Sequence, residues 1–437
     1  MTSSIKADQN FIWHPYTQHA IEREPLIITH AKEARLYADK DGEPFEILDM
    51  ISSWWTCTHG HSHPELNRAL QVQAENVPHV MFAGFSHEPA IKLAQNLARH
   101  MPEDLTRTFY SDNGSTAVEV ALKMAYQFWT NKGEKQRTAF LAFDGAYHGD
   151  TFGAMSVSRG SGFFSLFEGL MCPVHTIPYA HTWHDDFAIE DKEQNALKAL
   201  DQLLETNGTN IAAIILEPLM QGAAGFRFCR PEFIRKVVEH VKAYDILVVF
   251  DEVATGFGRT GTLFAFEQIG ITPDMLCLSK GLTAGYMPLA ITLTRQSIFE
   301  TFLGDGFDKA LAHGHTFTAN PLACAVANKS LELFEQEQTL QKIKAIHEHH
   351  SSFLEDLKTN PHIEKCRVLG SVLACNLADQ EGYKSKASLQ LKDWYQAQGF
   401  NIRPLGSTLY LMPPYCISET ELQRAYTAFL DGLAQCL

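Results

Sequence analysis

Met275-Leu276-Cys277-Leu278-Ser279-Lys280-Gly281, taken with Ile246-Leu247-Val248-Val249-Phe250-Asp251-Glu252 upstream, decides how the chain is read. Each is a short apolar run ending in a charged residue, the pattern of a buried parallel strand that delivers one functional side chain at its carboxyl edge. The first delivers Lys280 and the second Asp251. A lysine at the mouth of an apolar strand is poorly hydrated, so its ammonium pKa falls and a neutral, nucleophilic amine becomes accessible. Taken singly, Lys280 reads as well as a cap after an edge strand and Asp251 as a helix N-cap. The rest of the chain has to decide between these readings.

Working outward, residues 106–110, 138–143 and 211–216 are further strand candidates, separated by helical or long crossover segments. That alternation predicts an α/β domain with a mostly parallel sheet, whose ligands belong at the carboxyl ends of the strands. After the first strand, Ser111-Asp112-Asn113-Gly114-Ser115 feeds an apolar-periodic helix over about 116–129, where Thr116-x-x-Glu119 has capping-box spacing. Such a turn offers free N–H groups, a hydroxyl and the positive end of a helix dipole to a phosphate, although an ordinary capped helix looks the same. The second strand ends in Gly145-Ala146-Tyr147-His148-Gly149-Asp150, which places an aromatic on a loop where it can lie flat on a planar group, and the third ends in Glu217-Pro218. Asn113 to Ser115, Tyr147, Glu217, Asp251 and Lys280 thus all fall at strand ends. An aldehyde cofactor of the pyridoxal phosphate type needs this combination: an amine for its aldehyde, an acid against its ring nitrogen and a phosphate anchor.

Other features carry less. Gly256-Phe257-Gly258-Arg259-Thr260-Gly261 matches the dinucleotide fingerprint, but residues 251–255 separate it from its strand and 262–266 do not read as a helix, which makes it a decoy. Of Trp54-Trp55, one is expected to line a pocket or interface, with packing of both at a subunit interface as the alternative. Residues 321–357 read as one long helical run whose His347-x-His349-His350 cluster suits a solvated face, and His59, His61 and His63 suggest no specific metal. Strands are expected over 368–377 and 409–412, then a closing helix capped by Ser418-x-x-Glu421. Arg403, in a loop between them, is a natural carboxylate clamp, though most such arginines are merely solvated.

The 437 residues are enough for two or three domains, and the net charge of −15 without a basic block argues against nucleic acid or an anionic membrane as partner. Nine cysteines without a C-x-x-C pair suit a reducing compartment, and a polar N-terminus with no apolar run near ~20 residues suggests a cytoplasmic protein.

Phe250-Asp251-Glu252-Val253-Ala254-Thr255-Gly256-Phe257-Gly258-Arg259-Thr260-Gly261, followed by Leu278-Ser279-Lys280-Gly281, resembles the signature of the class III aminotransferases, and the resemblance runs from about residue 13 to the C-terminus. It implies a pyridoxal-phosphate transferase of fold type I, with a large domain over 61–330 and a small α+β domain built from 1–60 and 331–437. It implies that Lys280 binds the cofactor covalently and then shuttles the proton, that Asp251 holds the pyridinium between Val253 and Tyr147, and that Gly114 and Ser115 grip the phosphate. His315 and Thr316 would complete that grip from the partner subunit of an obligate homodimer, with Gly314 touching substrate. Trp13-His14-Pro15-Tyr16-Thr17, Ser52-Ser53-Trp54-Trp55 and Tyr410-Leu411-Met412-Pro413-Pro414-Tyr415 are similar to the branch serving biotin synthesis. That implies 8-amino-7-oxononanoate as acceptor, S-adenosylmethionine as donor and a ping-pong cycle through pyridoxamine phosphate. Tyr16, Trp54 and Tyr147 would line the slot for the aliphatic chain, Arg403 would pair with its carboxylate, and Asp150 would receive an amine. Gly285-Tyr286-Met287-Pro288-Leu289-Ala290 is similar instead to the loop of general ω-aminotransferases, which leaves lysine open as donor, and another diamine or ω-amino acid as substrate.

Overall fold

The structure, a computed structural model, describes residues 3–20, 24–40, 42–102, 104–160, 162–378 and 386–437. Met275–Leu278 is a strand of four buried residues inside a seven-stranded sheet. The sheet's strands, in chain order, are β1 (Arg107–Ser111), β2 (Ala139–Phe143), β3 (Val174–Ile177), β4 (Ile211–Leu216), β5 (Leu247–Asp251), β6 (Met275–Leu278) and β7 (Ala290–Thr294). They lie side by side as β1-β7-β6-β5-β4-β2-β3. Every pair from β6 across to β3 is parallel, and only β7 runs against its neighbours.

All residues of β4, β5, β6 and β7 are buried, because helices cover both faces of the sheet. Gly114–Asn131 covers one: Trp129 donates to the Ala212 carbonyl at 2.8 Å and Thr292 donates to the Ala117 carbonyl at 2.8 Å, fixing the helix over β4 and β7. Elsewhere Pro231–Lys242 buries Phe233, Ile234, Val237, Val238 and Val241, a stripe at helical spacing. The register pairs Phe250 with both Leu216 and Leu276, so Glu217, Asp251 and the residues that follow β6 emerge at one edge.

Strands β3 and β7 were not expected. β3 has four residues, and in β7 Thr292 and Thr294 interrupt the apolar run, so neither shows a long β pattern. The helix after β1 also begins earlier than its expected start. Asn113 is the N-cap: its side chain accepts from Thr116 N at 3.0 Å, while the Thr116 hydroxyl accepts from Asn113 N at 3.1 Å. Glu119 is thereby free for another task and accepts from Gly153 N at 2.6 Å and Ala154 N at 3.2 Å, at the start of Phe152–Ser156. Asn113→Ala is expected to destabilise the cofactor-free chain by about 1 kcal/mol, the usual cost of losing a side-chain N-cap, measured as a drop in denaturant midpoint.

The expected single helix over 321–357 is two, Pro321–Gln336 and Thr339–Leu357, broken where Gln338 takes φ 51°. Its histidine cluster is not a solvated face either: His350 is fully buried between the Tyr426 hydroxyl, 2.8 Å from Nδ1, and the Ser371 carbonyl, 3.3 Å from Nε2. Burial pushes its pKa down to about 3, so it is held neutral. Near the N-terminus, Ile27–Lys32, Arg35–Lys40 and Glu43–Asp49 form an antiparallel run, joined by Phe400–Asn401 lying parallel to Glu43–Asp49. Ile363–Leu369, Val372–Leu377 and Thr408–Leu411 make a three-stranded sheet, and Glu419–Cys436 closes the chain behind the expected Ser418–Glu421 capping box. Among the described residues no helix is long and apolar enough to cross a membrane.

Candidate active site

A cavity of about 1200 Å³ opens where β2, β4, β5 and β6 end, and Tyr147, Glu217, Asp251 and Lys280 line it. Gly114, Ser115 and Val253 belong to the same wall, Tyr16 and Trp54 to a second, and Arg403 to a third. Side chains far apart in sequence thus share one space. Gly314, His315 and Thr316 do not reach it: their loop lies outside the cavity, with Gly314 and Thr316 exposed and the His315 ring accepting from Phe317 N at 3.2 Å.

Asp251 is 4% exposed, yet its oxygens are well placed: Oδ1 accepts from Val253 N at 3.0 Å and Oδ2 lies 2.7 Å from Nδ1 of His148. The His148 Nε2 is buried without a partner. Lys280 sits at φ 42°, separated from β6 by Ser279 alone, its Nζ 4.9 Å from the centroid of the Trp55 ring. Burial holds its pKa below the ordinary lysine range, against the opposing pull of Asp251 and Glu217. Glu217 accepts from Tyr147 N and Gly222 N, both at 3.0 Å, and burial pushes its pKa up to about 7, with His148 opposing and Asp251 reinforcing the shift.

At the start of Gly114–Asn131 the backbone is bare by necessity. A Cβ on Gly114 would lie 2.7 Å from Cγ1 of Val253, and one on Gly149, at φ +121°, 2.3 Å from the Ser115 hydroxyl. Ser115 Oγ is 2.8 Å from Thr151 Oγ1 and accepts from Thr151 N at 3.0 Å. A helix N-terminus, a hydroxyl pair and close glycine packing form a concave donor surface of the kind that holds a phosphate.

The aromatic wall is built on a strained turn. Ser52, Ser53 and Trp55 take φ of 49°, 62° and 68°, in the left-handed region that non-glycine residues rarely adopt. Buried Asp49 holds the turn, accepting from Ser53 N at 2.5 Å and from Asn401 Nδ2 at 2.9 Å and meeting His61 Nε2 at 2.8 Å. The turn sends Trp55 inward, where its Nε1 donates to the Tyr410 hydroxyl at 3.1 Å, and leaves Trp54 half-exposed at the cavity, 5.7 Å from the Arg403 guanidinium. Across from them, the Tyr16 and Tyr147 hydroxyls both donate to Asp150 Oδ1, at 2.6 and 2.8 Å. Burial and then Asp150 push the Tyr16 pKa up to about 12, so both phenols stay protonated and act as donors.

His148, Trp55 and Tyr410 had no role assigned from the sequence. His148 meets an acid 103 positions away, and Trp55 faces Lys280 only because the turn is left-handed. The adjacency of His148 to Tyr147 was the one local hint.

The family model for aminotransferase class III matches residues 16–433. Adenosylmethionine-8-amino-7-oxononanoate aminotransferase of Synechococcus elongatus is 47% identical over 97% of this chain and 98% of its own length. The protein of that name from Aquifex aeolicus is 40% identical over 95% and 94%. Among solved structures, adenosylmethionine-8-amino-7-oxononanoate aminotransferase from Methanocaldococcus jannaschii superposes with a TM-score of 0.92 at 34% identity, covering 99% of both chains. An amine transaminase from an uncultivated Pseudomonas species, in a pyridoxal-phosphate-bound form, gives 0.90 at 28% identity over 98% of this chain and 99% of its own. The sheet order and the placement of Lys280 and Asp251 at its edge agree with fold type I, and this chain belongs to the class III aminotransferases.

Proposed function

We propose that the chain is the pyridoxal-phosphate aminotransferase that converts 8-amino-7-oxononanoate to 7,8-diaminononanoate in biotin synthesis, with S-adenosylmethionine as amino donor. The observation that carries this reading is the single cavity shared by Lys280, Asp251 and Arg403, in a chain 47% identical to a relative of that name.

The residues fit the cofactor. The glycine-lined helix start at Gly114 and Ser115 suits its phosphate, buried Asp251 suits its ring nitrogen, and Val253 and Tyr147 stand where they can cover the two ring faces. When bound, the cofactor supplies an aldehyde for the amino group and an electron-poor ring that stabilises a carbanion at the substrate carbon. Lys280, desolvated and therefore able to be neutral, would hold the cofactor covalently and would carry the proton to and from the substrate carbon. Asp251 supplies negative charge at the ring nitrogen, and His148 keeps its carboxylate oriented. Tyr16 and Trp54 give the acceptor's alkyl chain apolar walls, Asp150 faces its amine, and Arg403 pairs with its carboxylate.

Gly314, His315 and Thr316 lie outside this chain's own cavity, which supports a homodimer in which each subunit lends that loop to its partner. The small domain is taken as residues 1–60 with 331–437, around a large domain of 61–330. All nine cysteines are free, which suits the cytoplasm.

One observation favours a second donor. Gly285, Met287 and Pro288, in the loop that is similar to that of ω-aminotransferases, line the same cavity, so lysine is the alternative. The test is the absorbance of cofactor-loaded enzyme on adding S-adenosylmethionine or, separately, lysine, followed by 8-amino-7-oxononanoate. Bleaching by S-adenosylmethionine and recovery with the keto acid support the reading, and bleaching by lysine alone changes the donor. Absence of recovery with either donor removes the biotin assignment.

Arg403 allows a separable prediction. Its side chain is exposed, so the ion pair it makes is screened. Arg403→Ala should raise KM for the carboxylate-bearing acceptor about tenfold, about 1.4 kcal/mol, with kcat nearly unchanged. Steady-state kinetics with the acceptor varied give the split.

A further inference from the structure

The turn Gly256-Phe257-Gly258-Arg259-Thr260-Gly261 has no part in the site as described, yet Arg259 is among the largest fully buried side chains of the described residues. Its Nη1 donates to the Pro413 carbonyl at 3.1 Å and its Nη2 to the Trp55 carbonyl at 3.5 Å, its guanidinium lies 4.7 Å from the Tyr415 ring, and its Nε is buried without a partner. Those hydrogen bonds go only to carbonyls, and among the described residues no carboxylate stands within ion-pair distance of it. A cation removed from water without a counter-ion is costly to keep, and well-packed apolar residues of similar volume often do as well or better. Beside it Gly258, at φ +91°, packs where a Cβ would lie 2.4 Å from Cδ1 of Ile343.

We propose that Arg259 is a positioning residue for Lys280: bonded to the Trp55 carbonyl, it fixes the ring that lies against the Lys280 amine and adds nearby a positive charge that no acid pairs with. The charged groups that act on Lys280 are Asp251 at the end of β5, Glu217 beyond β4, and Arg259 in this turn. The two acids favour the ammonium; burial, most strongly, and Arg259 disfavour it. Arg259 therefore offsets the two carboxylates and keeps the amine available as a nucleophile. It also links three distant segments, because Trp55, Pro413 and the 256–261 turn meet at one guanidinium.

This inference rests on Lys280 being the nucleophile of the proposed reaction, but its test does not use turnover, so its failure leaves that reading intact. Arg259→Gln keeps N–H donors and removes the charge; Arg259→Lys keeps the charge. In cofactor-loaded enzyme the absorbance is titrated with pH. The midpoint of the spectral transition is expected to rise by about one pH unit in Arg259→Gln, the scale of shift a nearby charge produces, and to stay near native in Arg259→Lys. In the full chain stripped of cofactor, acylation of Lys280 by an amine-selective reagent, read by peptide mass spectrometry, should show the same order, with the native half-point below that of exposed Lys198. An unmoved midpoint in folded Arg259→Gln overturns the proposal, as does a native Lys280 half-point at or above that of Lys198. Should Arg259→Gln not fold, Arg259→Lys decides: a native midpoint supports the proposal, and a rise of about a unit overturns it.

Discussion

Lys280→Ala is expected to lower turnover by about 10⁴-fold or more, because the two roles proposed for Lys280, covalent attachment and proton transfer, are lost in one substitution. Among the described residues no other lysine of the cavity stands at the end of a strand. Lys392 also lines the cavity, but in the outer wall with Ser388 and Leu389 and not at the end of a strand beside Asp251. The variant should still take up pyridoxal phosphate, since the helix start at Gly114, the Ser115–Thr151 hydroxyl pair and Asp251 are untouched. The expected result is therefore an enzyme that retains cofactor after gel filtration, shows the spectrum of unlinked aldehyde, and regains part of its proton transfer when a small primary amine is added. Turnover within tenfold of native in the absence of added amine would remove Lys280 from the mechanism.

Asp251→Asn tests the other half of the pair. It preserves shape, and an amide oxygen can still meet His148 or Val253 N, but the negative charge at the end of β5 is gone. In the proposed role Asp251 would keep the ring nitrogen of the cofactor protonated, the form in which the ring draws electrons, and the amide would not. Loss of one preorganised electrostatic group costs about 10²–10³ in kcat, and that is the fall expected here, seen as slower bleaching with donor in a rapid-mixing experiment. Asp251→Ala should do more. It strips the second ring nitrogen of His148 of its partner when Nε2 already has none, at a cost of about 1–3 kcal/mol in stability. A calorimetric comparison of the two variants separates the chemical role of Asp251 from its structural one.

Much of the site was readable because its charged groups sit at or just beyond the ends of strands. A continuous apolar run can be buried on both faces only in the middle of a covered sheet, so residues 211–216, 246–250 and 275–278 announced themselves, and the polar side chains that end them, Glu217, Asp251 and Lys280, had to emerge at one edge. β3 and β7 gave too little periodic signal to be seen, and the helix cap was misplaced by one turn because Thr116 can open a capping box with Glu119 as plausibly as it closes one with Asn113. His347, His349 and His350 looked alike in sequence; the packing of Tyr426 and Ser371 separates the buried His350 from its neighbours.

The sequence by itself determined five of the seven strands of the sheet, the edge at which ligands gather, and the identity of the amine and the acid placed there, since all three follow from hydrophobic period and from what terminates each run. Tertiary structure alone decided that His148 orients Asp251, that Asp49 pins the left-handed turn turning Trp55 toward Lys280, and that the arginine of an apparent nucleotide-binding motif is a buried cation with no acid partner among the described residues. The physical reason is range. Backbone period leaves its mark within a few residues, whereas a hydrogen bond or a charge acts between groups that only the folded chain brings within a few ångströms of each other.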